Sequence, residues 1–334
     1  MEHGDRRHLA LRPSLIADIG ATNARFVVVS STGGFQRARV LASEDYPSLY
    51  SAIAAYLDEE LPLTDVRRLE AAAFAVAGPV TGDHVALTNR PWSFSITDLR
   101  DHLALQRFCV VNDFAAVAFA MPHLAPDERD QIGGGEAVRD EPIGVLGPGS
   151  GLGVGGLVPA PNGWLTVPGE GGHATMAPAN SRESAVLDHM RARFDHVSAE
   201  RLLSGRGLID LYNTLSEIDG VPAVSYTAAQ ITNPGVYEAD PYCRETVDLF
   251  CAMLGTIAGN LALTLGARGG IYVAGGIVPK LGPVFAASLF RERFEAKGRM
   301  RPYLATIPTY VVTHPFPAFL GLAALLAAGE HAKA

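Results

Sequence analysis

The chain reads as an α/β protein of two related domains, and three observations predict this. Apolar strand-like runs alternate with segments of helical spacing through the first third of the sequence. The strand, glycine turn, strand arrangement of "ADIGATNARFVVVS" returns in "IGVLGPGSGLGVGGLVPA", with Ser150 where the first copy has Thr22. The 334 residues exceed one ordinary domain, and at 48% hydrophobic and 19% charged they can bury a sizeable core. Each domain would then open on a hairpin whose turn faces a shared cleft.

Each element follows in order. "MEHGDRRHLALRPS" carries charge without an apolar run of signal-peptide length and reads as a flexible lead-in, so the cytoplasm is the simplest address. "LIADIG", "RFVVVSS" and "FQRARVL" read as strands, the last two joined by the turn Thr32-Gly33-Gly34. "PSLYSAIAAYLDEEL" has helical spacing, with Pro47 near its start. The strand "LEAAAFAVAG", a short strand pair ending in "LTNRPWSFS", and the helix "TDLRDHLAL" capped by Thr97 or Asp98 come next. The strand "RFCVVND" ends in a polar pair and runs into the helical "FAAVAFAM".

"PHLAPDERDQIGGGEAVRDEP" reads as a loop, after which the second hairpin starts and "GWLTVPG" adds a third strand. Helices follow over "SRESAVLDHMRARF", "GRGLIDLYNTLSEI" and from about Pro241 to Ala267. The strand "GGIYVAGG" leads to "IVPKL", and "TYVVTH" and the apolar "FPAFLGLAALLAAG" close the chain. Returning that last helix to the first domain gives a small domain of residues 1–122 plus 313–334 and a large one of 123–312. Leu249 to Ala267 carries no charge, but Thr256, Asn260, Thr264 and its glycines make a poor membrane span. Gly255-x-x-x-Gly259 instead suits close helix contact in a buried core.

Composition narrows the partners. A net charge of -8 leaves no basic excess to neutralise nucleic-acid phosphates. Cys109, Cys243 and Cys251 are odd in number and lack metal-ligand spacing, which fits a reducing compartment better than a disulfide framework or zinc site.

Two glycine-rich turns at strand ends suit a nucleotide triphosphate, because glycine lets backbone N–H groups approach phosphate oxygens. No G-x-x-x-x-G-K-S/T run occurs, so this is not a P-loop. Gly151-x-Gly153-x-x-Gly156 matches the dinucleotide pattern by letter, but "LVPAPNG" after it cannot open the required helix. Asp18 at a strand end suits Mg²⁺ held through water, or alone would only cap its turn. Thr22 and Ser150 could donate to phosphate oxygens. Asn23 and Arg25 either bind phosphate or brace the two strands. Asn112-Asp113 ends an apolar strand, where an isolated Asp113 would more simply cap the next helix. "PGEGGH" adds Glu170 and His173 in a glycine-flanked loop, and Asn112, Asp113, Glu170 and His173 together look like a polyol site. Glu170 with His173 could instead be a metal pair, although no third ligand is spaced to suit. Glu200, after Ser198, is by itself an ordinary first-turn carboxylate.

"ADIGATNARF", "AVAGPV", "LTNRPW", "VVNDFAAVAFA", "GPGSGLGVGGL", "PGEGGHATMAP", "HVSAERLLSGRGL" and "VAGGIVPKL" occur in one order through nearly the whole chain. Together they resemble the bacterial glucokinases of the hexokinase/actin-like superfamily, in the branch without the cysteine-rich zinc motif of the repressor-type kinases. The resemblance implies a two-domain actin-like (ribonuclease H-like) fold with a cleft between domains, and ATP- and Mg²⁺-dependent phosphorylation of glucose at its 6-hydroxyl. It implies sugar binding by Asn112, Asp113, Glu170, His173 and Glu200, with Asp113 also the general base. It implies phosphate turns at Asp18, Gly20, Ala21, Thr22 and Asn23 and at Gly149, Ser150 and Gly151, with Gly275 and Gly276 near adenosine. It also implies a hinge at "AVAGPV" and the Gly255/Gly259 helix, and a homodimer. Ala21 stands where glycine is usual, and Ser150 where threonine is usual; a methyl at Ala21 crowds the turn if that position needs positive φ. The alternatives are a kinase for another hexose and a sugar-sensing regulator on the same fold. The regulator would need a DNA-reading module, and the sequence offers neither a helix-turn-helix extension nor a basic face.

Overall fold

The computed structural model describes residues 14–20, 22–30, 34–60, 69–87, 92–161 and 163–328. The lead-in, Ala21, the turn residues Thr32 and Gly33, and Thr88 to Pro91 of "LTNRPW" lie outside the described residues. The chain divides into two compact units. The first draws on Met1–Leu124, Ala160–Thr166 and Pro315–Ala334, and the second on Ala125–Pro159 and Val167–His314. Residues 160–166 thus join the first unit, a crossing that no composition change in the sequence signals.

In the first unit β1 (Ser14–Ile19) and β2 (Asn23–Val29) form the opening hairpin, and β3 (Phe35–Ala42) continues it antiparallel. β4 (Ala71–Val76) pairs parallel with β1, a short hairpin joins β5 (His84–Ala86) to β6 (Ser93–Ser95), and β7 (Arg107–Asn112) pairs parallel with β4. The sheet order is β3-β2-β1-β4-β7. β4 is buried along its whole length, as a central parallel strand covered on both faces must be. Its alanines admit close neighbours: helix Pro317–Ala328 packs on helix Asp113–Ala120 so tightly that a side chain at Gly321 would overlap the Ala116 carbonyl. On the opposite side Phe26 stacks on Tyr56 of helix Leu49–Glu60 at 5.2 Å between ring centroids.

In the second unit β8 (Arg129–Ile132), β9 (Ile143–Pro148), β10 (Leu152–Ala160), β12 (Gly270–Val273) and β13 (Thr309–Val312) follow in chain order, while all but the last residue of β11 (Gly163–Val167) falls in the 160–166 segment of the first unit. β10-β9-β12-β13-β8 lie side by side, with β9, β12 and β13 parallel and β10 and β8 antiparallel to their neighbours. Helices Ser181–Arg191, Gly205–Ile218 and Pro241–Leu265 cover this sheet's core.

Three local expectations need correction. β8 lies inside the stretch read as a loop; its four residues are too few and too polar to show alternation, and pairing with β13 makes it a strand. The helix read from Thr97 begins at Ile96, and its cap is Ser95, whose side chain accepts from the Asp98 N–H. The cap of helix Asp113–Ala120 is Asn112, not Asp113. The long helix Pro241–Leu265 ends at Gly266 with φ 64°, a left-handed cap suited to glycine. It is long and apolar enough to cross a membrane by length and composition, yet it sits mostly buried in the unit's core. Its Gly255 and Gly259 face helix Phe290–Glu295, where a Cβ at Gly259 would stand 2.5 Å from the Phe294 carbonyl oxygen. The G-x-x-x-G spacing is here a helix-packing device.

Candidate active site

In the first unit Ile19, Val76 and Asn112 are in register at the carboxyl ends of β1, β4 and β7. Open α/β sheets present their chemistry at this edge. Asp18 is mostly buried there, and its Oδ2 accepts from Arg25 Nη1 at 2.8 Å across the hairpin. Burial pushes the Asp18 carboxyl up, and the Arg25 guanidinium offsets part of that rise. Arg25 thus braces the two strands by neutralising Asp18. The turn itself closes where Gly20 N–H donates to the Asn23 carbonyl at 2.9 Å. Thr22 exposes its side chain, while its carbonyl accepts from the Ser43 N–H at 2.8 Å.

Asn112 uses both ends of its amide. Its Oδ1 accepts from Phe114 N–H at 2.9 Å and Ala115 N–H at 3.2 Å, and its Nδ2 donates to the Gly78 carbonyl at 3.1 Å. Gly78 has φ 142° and lies in "AVAGPV", so Asn112 ties that segment to the helix it caps. Asp113 is the first residue of the helix, and its Oδ1 accepts from the Phe114 N–H at 2.8 Å. A carboxylate at a helix N-terminus is stabilised in its charged form by the exposed N–H groups.

The second unit gathers the other predicted residues. Gly149 N–H donates to the Gly151 carbonyl at 2.8 Å, which folds the turn between β9 and β10. Gly205 N–H donates to the Gly149 carbonyl at 2.8 Å and docks the start of helix Gly205–Ile218 on that turn. Glu200 Oε2 accepts from the Leu152 N–H at 2.9 Å. A Cβ at Gly151 would stand 2.5 Å from the same oxygen, so a side chain there would push the Glu200 carboxylate aside. Glu200 N–H donates to the Gly172 carbonyl, and His173 N–H to the Glu170 carbonyl, both at 2.9 Å. These bonds bring Glu170, His173 and Glu200 into one group, with His173 Nδ1 3.9 Å from Glu200 Oε1. Ser150, His173 and Glu200 line a cavity of about 590 Å³. Gly275, with φ 85°, lies against the Pro148 carbonyl at the foot of the turn, whereas Gly276 faces open space.

A sequence model of the glucokinase family matches residues 15–329. The chain is 50% identical to the glucokinase of Paramagnetospirillum magneticum over 93% of its own length and 97% of that protein. It is 49% identical to the glucokinase of Aromatoleum aromaticum, over 94% of each chain. The chain belongs to the glucokinase family. The crystal structure of glucokinase from an Antarctic psychrotroph agrees in fold, with a TM-score of 0.84 at 35% identity over 95% of this chain and 99% of that one.

The sequence reading misses Ser43 altogether and, although it singles out "AVAGPV" as a hinge, it does not show that Gly78 within it meets Asn112. Ser43 is buried and supports the first turn from β3's far end, and Gly78 anchors Asn112. Nothing adjacent to either residue names its distant partner. Among the described residues no three His, Cys, Asp or Glu side chains gather as a metal cage. A single carboxylate at a strand end, partly engaged by Arg25, fits a magnesium ion that keeps its waters and rests on substrate phosphates.

Proposed function

We propose that this chain is a glucokinase that transfers the γ-phosphoryl group of ATP to the 6-hydroxyl of D-glucose. The observation that carries the reading is the bond from the Leu152 N–H to Glu200 Oε2, because it makes one carboxylate part of both the polyol group and the glycine turn. Glu170, His173 and Glu200 would accept from and donate to the sugar hydroxyls, and the family resemblance supports Asn112 and Asp113 as further sugar-binding residues. Asp113 takes the proton of the attacking hydroxyl as its oxygen bonds to phosphorus and the bond to ADP breaks. A positioned base of this kind contributes roughly 10²- to 10⁴-fold.

The turn at Asp18, Gly20, Ala21, Thr22 and Asn23, and that at Gly149, Ser150 and Gly151, would direct backbone N–H groups and hydroxyls at the phosphates. Gly275 and Gly276 would lie by the adenosine. Mg²⁺, held through Asp18, supplies charge neutralisation to the phosphoryl oxygens when bound. The family resemblance supports a cytoplasmic homodimer, and the three free cysteines suit a reducing compartment.

The test is ADP formation with Mg-ATP across a panel of hexoses, with Asp113→Asn in parallel. Glucose-dependent ADP release that falls by at least 10²-fold in the variant while glucose still binds is the expected result. Near-native turnover in the variant would remove Asp113 as the base, and faster turnover with another hexose would replace glucose as the substrate.

A further inference from the structure

Two segments of the second unit meet along a short ladder beside Glu170, His173 and Glu200. Thr175 forms an isolated antiparallel bridge with Ser198, Met176 N–H donates to the Val197 carbonyl at 3.0 Å, and Ala199 N–H donates to the Ala174 carbonyl at 2.9 Å. Glu200 N–H carries the ladder on to the Gly172 carbonyl, inside the short turn Gly171–His173. The Glu170 and Gly171 carbonyls accept from the N–H groups of His173 and Ala174. The His173 carbonyl alone in this run takes a side chain among the described residues: His196 Nε2 lies 2.9 Å from it. A carbonyl can only accept, so Nε2 carries the hydrogen. "HVSAERLLSGRGL" begins at this histidine, yet the sugar group uses only its Glu200.

His173 is therefore placed through its backbone. Its ring is exposed, and at 3.9 Å its Nδ1 is too far from Glu200 Oε1 for a hydrogen bond to hold it. One side of the turn is fixed by close packing, because Gly172 is buried and a side chain there would overlap the Leu152 carbonyl. The exposed side rests on His196. That ring can act as a prop because Val197, Ser198 and Ala199, which follow it, are buried and anchor its segment.

We infer that His196 is a positioning residue for the sugar group: its Nε2–H holds the His173 carbonyl, and with it the turn that carries Glu170 and His173, in place to meet the sugar hydroxyls. The inference rests on the kinase reading above, in which those side chains bind the sugar. His196 is exposed, so water takes up the freed carbonyl when the ring is removed. The loss then falls on the placement of the turn and not on the stability of the whole chain.

The experiment compares His196→Ala and His196→Gln with the native full chain, since glutamine carries an amide N–H to about the reach of Nε2 and alanine carries none. Steady-state kinetics with Mg-ATP and the hexose turned over best should show KM for the sugar raised about fivefold in His196→Ala, the effect of one ordinary hydrogen bond. kcat and KM for ATP should change little, and His196→Gln should return KM for the sugar close to native. Amide hydrogen exchange of residues 171–174, followed by mass spectrometry without sugar, should quicken in His196→Ala and recover in His196→Gln. The urea unfolding midpoint should stay close to native in both variants. Unchanged exchange and KM in His196→Ala, or equal losses in the two variants, overturns the proposal. A native chain that turns over no hexose defeats the kinase reading, and the exchange, which needs no sugar, still decides whether His196 holds the turn.

Discussion

Glu200 and Leu152 are joined by a hydrogen bond of 2.9 Å from a backbone N–H to a carboxylate oxygen, although 48 positions separate them in the chain. The bond couples the Glu170, His173 and Glu200 group of the second unit to its glycine turn. A backbone bond to a charged acceptor contributes about 1.5–3 kcal/mol, enough to order that turn. Glu200→Ala should therefore raise KM for glucose by tenfold or more and also raise KM for ATP. Steady-state kinetics with both substrates varied will show it; an unchanged KM for ATP would mean that the turn stands without Glu200.

Asn112 should matter to stability as well as to turnover. Asn112→Ala removes the cap of helix Asp113–Ala120 and the tether to Gly78. Loss of the cap alone costs about 1 kcal/mol. Urea unfolding should show that loss, with a lower kcat because Asp113 sits on the first turn that loosens. An equal unfolding midpoint for variant and native chain would contradict the capping role.

Glu183 is fully buried and takes Arg293 through both carboxylate oxygens, at 2.6 and 3.2 Å. It also accepts from the Ala179 N–H and from Asn180. Arg293→Met leaves the charge without its counter-ion and should destabilise the chain by about 3–5 kcal/mol. Adding Glu183→Gln should recover much of this, since an amide pays less for burial. Denaturant titration of the single and double variants measures the coupling, and additive losses would refute it.

The cysteines should differ in reactivity. Burial pushes the Cys243 thiol up to about 12, aided by the Asp240 charge, and burial likewise takes Cys251 to about 12. Both thiols therefore stay protonated in the folded chain across the pH range in which free thiols ionise. Cys109 is half-buried and should be alkylated first. Because the folded values lie above the unfolded ones, this contribution to stability is complete below pH 9 and declines as pH rises from about 9 towards 12. Mass spectrometry after timed iodoacetamide treatment at pH 8 gives the order, and early modification of Cys243 would count against it.

Local sequence determined the alternation of strands and helices, the two hairpins with their glycine turns, and the residue types suited to phosphate and polyol, because periodicity and turn chemistry act over a few neighbours. "VVND" before a helical run, and "PGEGGH" with its glycines, exposed most of the candidate site in this way. The tertiary structure decided what depends on distant partners. It gave Arg25 to Asp18, the helix cap to Asn112 in place of Asp113, and the Leu152 N–H to Glu200. It also made a strand of Arg129–Ile132, whose four polar-rich residues carry no period and become ordered only by pairing with β13. Hydrogen bonds between segments far apart in sequence leave no periodic trace in either segment, so only the folded chain reveals which donor meets which acceptor.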